Sequence, residues 1–159
     1  GVGSMFADIN NINNLKIKKK IITKQKQNVN IIGICLGMHL MCSKGYEIKL
    51  TKGLGLFDAD VKSMKNYNIK LPHVGNKKVK FSFNNNLKTL NQFSGEEFYF
   101  NHSFSVQKIP NKYLTGYTKI KNKLLISCFK KDKIFGFQFH PEKSGKIGLD
   151  FFKSLIEAI

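Results

Sequence analysis

The sequence predicts an α/β domain with a mixed β-sheet flanked by helices, occupying residues 1–159 as a single domain. The apolar, β-branched run Val29-Asn30-Ile31-Ile32 is typical of a buried strand. A glycine-flanked turn and good helix formers follow it directly, so a strand is expected to pass sharply into a helix. The chain closes on apolar residues at helical spacing, which predicts an amphipathic C-terminal helix: Ile147, Phe151, Phe152, Leu155, Ile156 and Ile159.

The other elements follow from the periodicity of apolar residues along the chain. Helices are predicted over residues 5–22 and 36–44, although asparagine pairs weaken the first of them. Strands are predicted over residues 30–34, 57–64, 77–83, 98–106, 113–120, 124–129 and 134–139. Strands and helices alternate early and strands dominate later, which is why a mixed sheet is expected.

Composition restricts the class of protein. The 159 residues are 42% hydrophobic, so the chain is globular and long enough for one core. No apolar run reaches membrane-spanning length, and the N-terminus lacks the charged-then-apolar pattern of a signal peptide. A cytoplasmic protein is therefore expected. The cysteines Cys35, Cys42 and Cys128 form an odd set without ligand-like pairing, which predicts neither a disulfide framework nor a metal site.

The net charge of +17 raises the possibility of nucleic-acid binding. However, every basic residue is lysine, whereas base-reading and phosphate-clamping proteins favour the bidentate guanidinium of arginine. A solvated lysine surface is therefore the main interpretation, and no nucleic-acid partner is predicted. Electrostatic steering of an acidic partner or a phosphorylated substrate remains the alternative.

The segment Gly33-Ile34-Cys35-Leu36-Gly37 has the layout of a nucleophile elbow. Small residues on both sides of Cys35 allow a sharp strand-to-helix turn, which is expected to present the thiol outward. The N-terminus of the following helix would lower the cost of a thiolate. The other two cysteines have no such context, and both are predicted to lie in the core.

Far downstream, Phe137-Gln138-Phe139-His140-Pro141-Glu142 offers a base and a carboxylate. His140 and Glu142 are two positions apart, so both side chains point to the same face of an extended segment. Together with Cys35 they form a candidate triad of nucleophile, general base and orienting acid. A turn histidine and a solvated glutamate are the alternative interpretation.

These motifs resemble the class I, triad-type glutamine amidotransferases, and within them the glutaminase subunit of imidazole glycerol phosphate synthase. The resemblance covers the whole chain. Besides the elbow and the histidine segment, it is carried in the family's order by Gly1-Val2-Gly3-Ser4, Gly53-Leu54-Gly55-Leu56, Leu71-Pro72-His73-Val74-Gly75 and Tyr99-Phe100-Asn101-His102-Ser103-Phe104. The resemblance implies the family's flavodoxin-like fold, here without its first strands.

The resemblance also implies roles for further residues. The backbone N–H groups of Leu36 and Gly3 would form the oxyanion hole. His102, Ser103 and Phe104 match the strand that holds the main-chain groups of the substrate.

Two further positions are assigned to substrate binding by the same resemblance. Glu47 stands where the family places an acid that reads the α-amino group of glutamine, and a surface glutamate is an equally weighted interpretation. His39 occupies a substrate-binding position at which the family normally has Gln. Its imidazole retains a hydrogen-bond donor but offers one group fewer.

The implied activity is hydrolysis of glutamine to glutamate and ammonia without any cofactor. In the family, ammonia passes to a (β/α)8 cyclase subunit of a heterodimer, which makes imidazole glycerol phosphate and an aminoimidazole ribotide for histidine biosynthesis. Asn76 stands where the partner-facing segment usually has Trp. The alternatives are a paralogue feeding a surface-sugar amidotransferase, a stand-alone γ-glutamyl cysteine hydrolase, and an inactive remnant.

The family's first strand, helix and further strand, which precede the Gly-Val-Gly loop, are not in this sequence. A sheet without them is expected to have an open edge beside the strand that leads into the elbow. The 159-residue chain alone is therefore expected to be unstable or prone to aggregate.

Overall fold

The computed structural model describes Met5, Ile9 and residues 16–159. The α-helices in this part of the chain are α1 (Ile17–Lys26), α2 (Leu36–Met41) and α3 (Gly145–Ala158). The strands are β1 (Ile31–Ile34), β2 (Cys42–Tyr46), β3 (Leu50–Lys52), β4 (Phe57–Ser63), β5 (His73–Lys78), β6 (Lys80–Phe81), β7 (Glu97–His102), β8 (Phe104–Val106), β9 (Leu114–Ile120), β10 (Lys123–Lys131) and β11 (Ile134–Phe137). Short 3-10 helices span Lys65–Tyr67, Asn85–Phe93, Asn111–Tyr113 and Pro141–Lys143.

The described strands form sheets of both orientations. The first has the order β1-β11-β10-β9-β6, with β1 parallel to β11 and the other pairs antiparallel. The second has the order β3-β2-β4-β8, with β2 parallel to β4. The third pairs β5 with β7 in antiparallel orientation. The predicted mixed α/β class is confirmed, but the strands are divided among three sheets.

The helix after the elbow is shorter than predicted. It ends at Met41, and Cys42 turns the chain into an extended conformation with ψ 167°. Strand β2 follows directly and pairs with β4, so the polar stretch around Gly45 is drawn into a sheet. The sequence Cys-Ser-Lys-Gly-Tyr has little β-propensity of its own, and tertiary pairing decides its conformation.

The predicted strand over residues 77–83 is wrong in its boundaries. Its first residues belong to β5, which pairs with β7, and its later residues belong to β6, which pairs with β9. The chain changes sheet at Val79, whose N–H donates to the carbonyl of Glu96. Alternation of apolar residues continued through this crossover, so periodicity alone could not detect it.

The N-terminal prediction is observed only in part. Met5 and Ile9 are helical and buried, and α1 begins at Ile17 within the predicted range 5–22. Among the described residues, β1 is a terminal strand of its sheet, as expected for an open edge. No helix in this part of the chain has the length and apolar character needed to span a membrane.

Buried side chains form two clusters that meet at strand β11. Phe135 and Phe137 point into a phenylalanine-rich cluster beneath α3, whereas Ile134 joins a cluster that contains α2 and β4. Because successive side chains alternate across a strand, β11 separates the two clusters and is buried on both faces. This central strand leads directly to His140, so the rigid core positions the candidate base.

We expect Gly33→Ala to destabilise the fold, because a Cβ there would lie 2.7 Å from the backbone carbon of Gly37. The strand and the helix must separate to admit it, at a cost of about 2 to 3 kcal/mol of unfolding free energy. Urea unfolding measures the loss. Gly37→Ala is the matched control, because its Cβ would meet nothing within 4 Å. Equal destabilisation by both changes would contradict this account of the elbow.

Candidate active site

Cys35 occupies a strained turn between β1 and α2. Its φ is 50° and its ψ −106°, a conformation that residues with a side chain rarely adopt. Its N–H donates to the carbonyl of Phe137 at 2.7 Å, and its carbonyl accepts the first helical bond from the N–H of His39. The sharp turn predicted for a nucleophile elbow is therefore present, and it is joined directly to the end of β11.

The thiol of Cys35 is buried rather than presented outward as expected, with only 4% of the residue exposed. Its Sγ lies 3.8 Å from the carbonyl oxygen of Asn101 and 3.8 Å from Nε2 of Gln138. Burial raises the pKa of the Cys35 thiol, Glu142 raises it further, and hydrogen bonds from Leu36 N–H and Gln138 oppose the rise. The pKa of the thiol is therefore raised rather than lowered as expected, with burial as the largest cause.

His140 and Glu142 form a close pair. Nδ1 of the imidazole lies 2.7 Å from Oε1 of Glu142. The histidine is buried, whereas the glutamate side chain is 51% exposed. Since a carboxylate accepts, Nδ1 carries the proton and Nε2 keeps the lone pair that a general base needs.

The loop that carries His140 is fixed by strand β7. The N–H of His140 donates to the carbonyl of Tyr99 at 2.8 Å. The hydroxyl of Ser144 donates to the carbonyl of His140 at 2.7 Å and accepts the N–H of Tyr99 at 2.9 Å. Ser144 therefore holds this loop to the sheet.

Two of the residues predicted to bind substrate, His39 and Glu47, are engaged with protein groups. His39 is buried, and its Nε2 lies 2.9 Å from Oε1 of Gln138. Glu47 accepts the N–H of Met5 at 2.6 Å, and its other oxygen lies 4.0 Å from Nδ1 of His39. Glu47 thus lies beside the elbow helix, close to the predicted position. Its role as a substrate ligand stays a prediction.

The predicted substrate strand adjoins the thiol. His102 ends β7 directly after Asn101, Ser103 forms a bend, and Phe104 begins β8. His102 Nδ1 donates to the carbonyl of Phe104 at 2.8 Å, which fixes the bend. A hydrogen bond from the backbone N–H of Leu36 lowers the pKa of the Cys35 thiol, and the role of this N–H as an oxyanion donor stays a prediction. Gly3, the other predicted donor, lies outside the described residues.

Sequence reasoning missed Gln138 and Asn101 as residues in contact with the thiol. Gln138 is fully buried between Phe137 and Phe139. A polar side chain in an otherwise apolar strand must find a hydrogen-bond partner, and this was the available signal. The carbonyl of Asn101 left no signal, because any residue supplies one.

We expect acid to destabilise the protein through two buried histidines. Burial lowers the pKa of His39 to about 4 and that of His102 to about 3. The unfolded chain takes up these protons below about pH 6.5, so stability is full above that pH and falls towards pH 4. The loss at pH 5 is roughly 2 kcal/mol for each histidine.

Urea unfolding at pH 7 and pH 5 measures this loss of stability. The matched control is His102→Gln, which removes one of the two titrating groups and should reduce the difference between the two pH values. An unchanged difference in that variant would contradict a buried, neutral His102.

Comparison with known proteins places these features in a family. The model of the family "Glutamine amidotransferase class-I" matches residues 6–155, so the chain belongs to the class-I glutamine amidotransferase family. It is 37% identical over 162 residues to the imidazole glycerol phosphate synthase subunit HisH 2 of Methanococcus maripaludis, covering 99% of this chain and 77% of the relative. It is 34% identical to the HisH subunit of Lactococcus lactis, covering 100% of this chain and 77% of the relative.

Solved structures share the fold. A crystal structure of a glutamine amidotransferase matches with a TM-score of 0.69 at 13% identity, covering 98% of this chain and 75% of that one. A glutamine amidotransferase from Thermotoga maritima matches with a TM-score of 0.62 at 20% identity, covering 99% of this chain and 58% of that one. At these identities the likeness concerns the fold alone.

Proposed function

We propose that this chain is the glutaminase subunit of an imidazole glycerol phosphate synthase, with Cys35, His140 and Glu142 as its catalytic triad. The observation that carries the proposal is the strained turn at Cys35, bonded to the end of the strand that leads into the His140–Glu142 pair. The similarity to the named synthase subunits supports the choice of reaction.

The mechanism starts with removal of the thiol proton by Nε2 of His140. The sulfur attacks the side-chain amide carbon of glutamine, and the carbonyl oxygen becomes an oxyanion facing the N–H of Leu36. His140 then returns the proton to the departing nitrogen, which leaves as ammonia. Water attacks the resulting thioester, releasing glutamate and restoring the thiol. Glu142 keeps the imidazole in the reactive tautomer and stabilises its charged form.

Strand β5 connects the expected partner face with the active site. It pairs with β7 so that His73 lies opposite His102, and Nδ1 of His73 is 3.3 Å from Nε2 of His102. Val74 points the other way and is 54% exposed. By resemblance this segment faces a (β/α)8 cyclase subunit, to which ammonia would pass for imidazole glycerol phosphate synthesis. The proposal includes a cytoplasmic location, since all three cysteines are free thiols.

Coupling to the partner is tested by measuring glutamate formation with and without the cyclase subunit and its ribotide ligand. We expect slow hydrolysis by the glutaminase alone and a rise of about tenfold or more when both are added. Equal turnover in all mixtures would favour a stand-alone hydrolase and contradict the proposed partner.

The partner face is tested with Val74→Lys, which places a charge on an exposed apolar side chain of β5. We expect partner binding to weaken by about tenfold, because apolar contacts at an interface core carry much of its affinity. Leu149→Lys on α3 is the matched control, since Leu149 is 69% exposed. Calorimetry measures the affinity of each variant for the cyclase subunit. Equal weakening by Val74→Lys and Leu149→Lys would contradict the placement of β5 in the interface.

A further inference from the structure

A second chain of polar side chains reaches Cys35 without passing through His140. Nε2 of His39 lies 2.9 Å from Oε1 of Gln138, and Nε2 of Gln138 lies 3.8 Å from Sγ of Cys35. Gln138 is fully buried and His39 is 3% exposed. Water therefore has little access to these groups, and each depends on its protein partner.

The order of these contacts fixes the direction of the Gln138 amide. Its oxygen can only accept, so Nε2 of His39 carries the proton that it receives. The amide NH2 group must then face the sulfur. Burial lowers the pKa of His39 to about 4, so the imidazole is neutral near pH 7 and holds a single proton. Nδ1 is then unprotonated, which fits its 4.0 Å separation from the nearest oxygen of Glu47.

We propose that His39 and Gln138 are positioning residues for the nucleophile: His39 holds the Gln138 amide so that its NH2 group donates to the thiolate of Cys35. This inference rests on the proposed function and gives His39 a role other than contact with glutamine. The chain of contacts moves no proton. The thiol proton goes to His140, and the amide stays neutral while it donates to the sulfur anion.

The environment of the thiol explains why such a donor is needed. Burial disfavours the anion, and Glu142 disfavours it further. Helix α2 has only six residues, so its dipole gives limited compensation. Among the described residues, the sulfur is also near the carbonyl of Asn101, which can only accept, and the N–H of Leu36, which the oxyanion also requires. Gln138 is thus a donor that stays with the sulfur throughout the reaction.

The test measures the alkylation rate of Cys35 by iodoacetamide from pH 5 to pH 10, read from the Cys35 peptide by mass spectrometry. Gln138→Leu preserves volume and removes the donor. His39→Leu frees the amide to rotate. We expect Cys35 in both variants to be alkylated about tenfold more slowly at pH 7. The midpoint of the alkylation rate against pH should also be higher, because the thiolate loses a hydrogen bond that stabilises it. His39→Gln restores a donor and should keep the wild-type profile.

The outcomes separate this inference from the proposed function. If wild-type Cys35 reacts no faster than Cys42 and Cys128, the proposed nucleophile fails. If Cys35 is reactive but Gln138→Leu has the wild-type profile, the positioning role is overturned and the nucleophile stands. If His39→Leu raises KM for glutamine and leaves the alkylation profile unchanged, His39 contacts substrate directly and the inference is overturned.

A measurement on the unchanged protein covers the case in which the buried variants do not fold. Nitrogen-15 chemical shifts report the tautomer of each histidine. Near pH 7, we expect His39 to be neutral and to carry its single ring proton on Nε2. A proton on Nδ1 would leave nothing to hold the Gln138 oxygen and would overturn the inference.

Discussion

Cys35→Ala is expected to reduce glutamine hydrolysis by roughly 10⁴-fold or more, because no other group can form the thioester. Cys35 is a small side chain whose Sγ lies 3.8 Å from the carbonyl oxygen of Asn101 and 3.8 Å from Nε2 of Gln138, so the substitution removes only long, weak polar contacts. We expect the unfolding free energy to change by less than about 1 kcal/mol. The rate of glutamate formation and the urea midpoint together separate lost chemistry from lost structure.

Cys42→Ala is the matched control for this prediction. Cys42 is also fully buried, and burial raises the pKa of its thiol to about 12. Among the described residues, its Sγ contacts the carbonyl of Met38 within the elbow helix, which is not a candidate catalytic group. We expect near wild-type turnover in this variant. If Cys35→Ala and Cys42→Ala reduced glutamine hydrolysis to a similar extent, the reduction would be due to altered packing around α2 rather than to a lost nucleophile.

The second large effect is expected at His140. His140→Ala removes the general base, and we expect the turnover number to fall by roughly 10³ to 10⁴-fold. Glu142→Gln should reduce the turnover number much less, by about tenfold. Half of the Glu142 side chain is exposed, so water can partly replace the carboxylate as the partner of His140. Steady-state rates of glutamate formation measure both effects.

His73→Asn is the matched control for the histidine. His73 is buried like His140 and contacts His102, but its Nε2 has no hydrogen-bond partner among the described residues. We expect the turnover number of this variant to stay within a few-fold of the wild type. A loss as large as that of His140→Ala would contradict the assignment of the base.

The parts of the site that depend on local sequence could be predicted. Gly33 signalled the sharp turn at Cys35 because no larger residue fits against the helix backbone. The side chains of His140 and Glu142 meet as their spacing predicted, but the predicted extended segment is wrong, because Pro141–Lys143 form a 3-10 helix. Cys42 and Cys128 were correctly placed in the core by their apolar context.

The parts that depend on distant partners could not be predicted. His39 and Gln138 are 99 positions apart, and nothing near either one indicates that they meet. The thiol of Cys35 lies 3.8 Å from the carbonyl of Asn101, which is 66 positions away in strand β7. Strand β2 forms because β4 offers a parallel edge to a stretch with weak propensity. In each case a long-range contact outweighs the local preference.

The most direct test of the central claim is labelling by an electrophilic glutamine analogue that carries a chloroketone. We expect a single adduct on the Cys35 peptide, formed in proportion to lost activity and prevented by excess glutamine. Cys42 and Cys128 should remain unmodified, because the analogue is expected to bind at the elbow and both of these side chains are fully buried. An adduct on either of them at a comparable rate, or inactivation with Cys35 unmodified, would contradict the claim that Cys35 is the nucleophile.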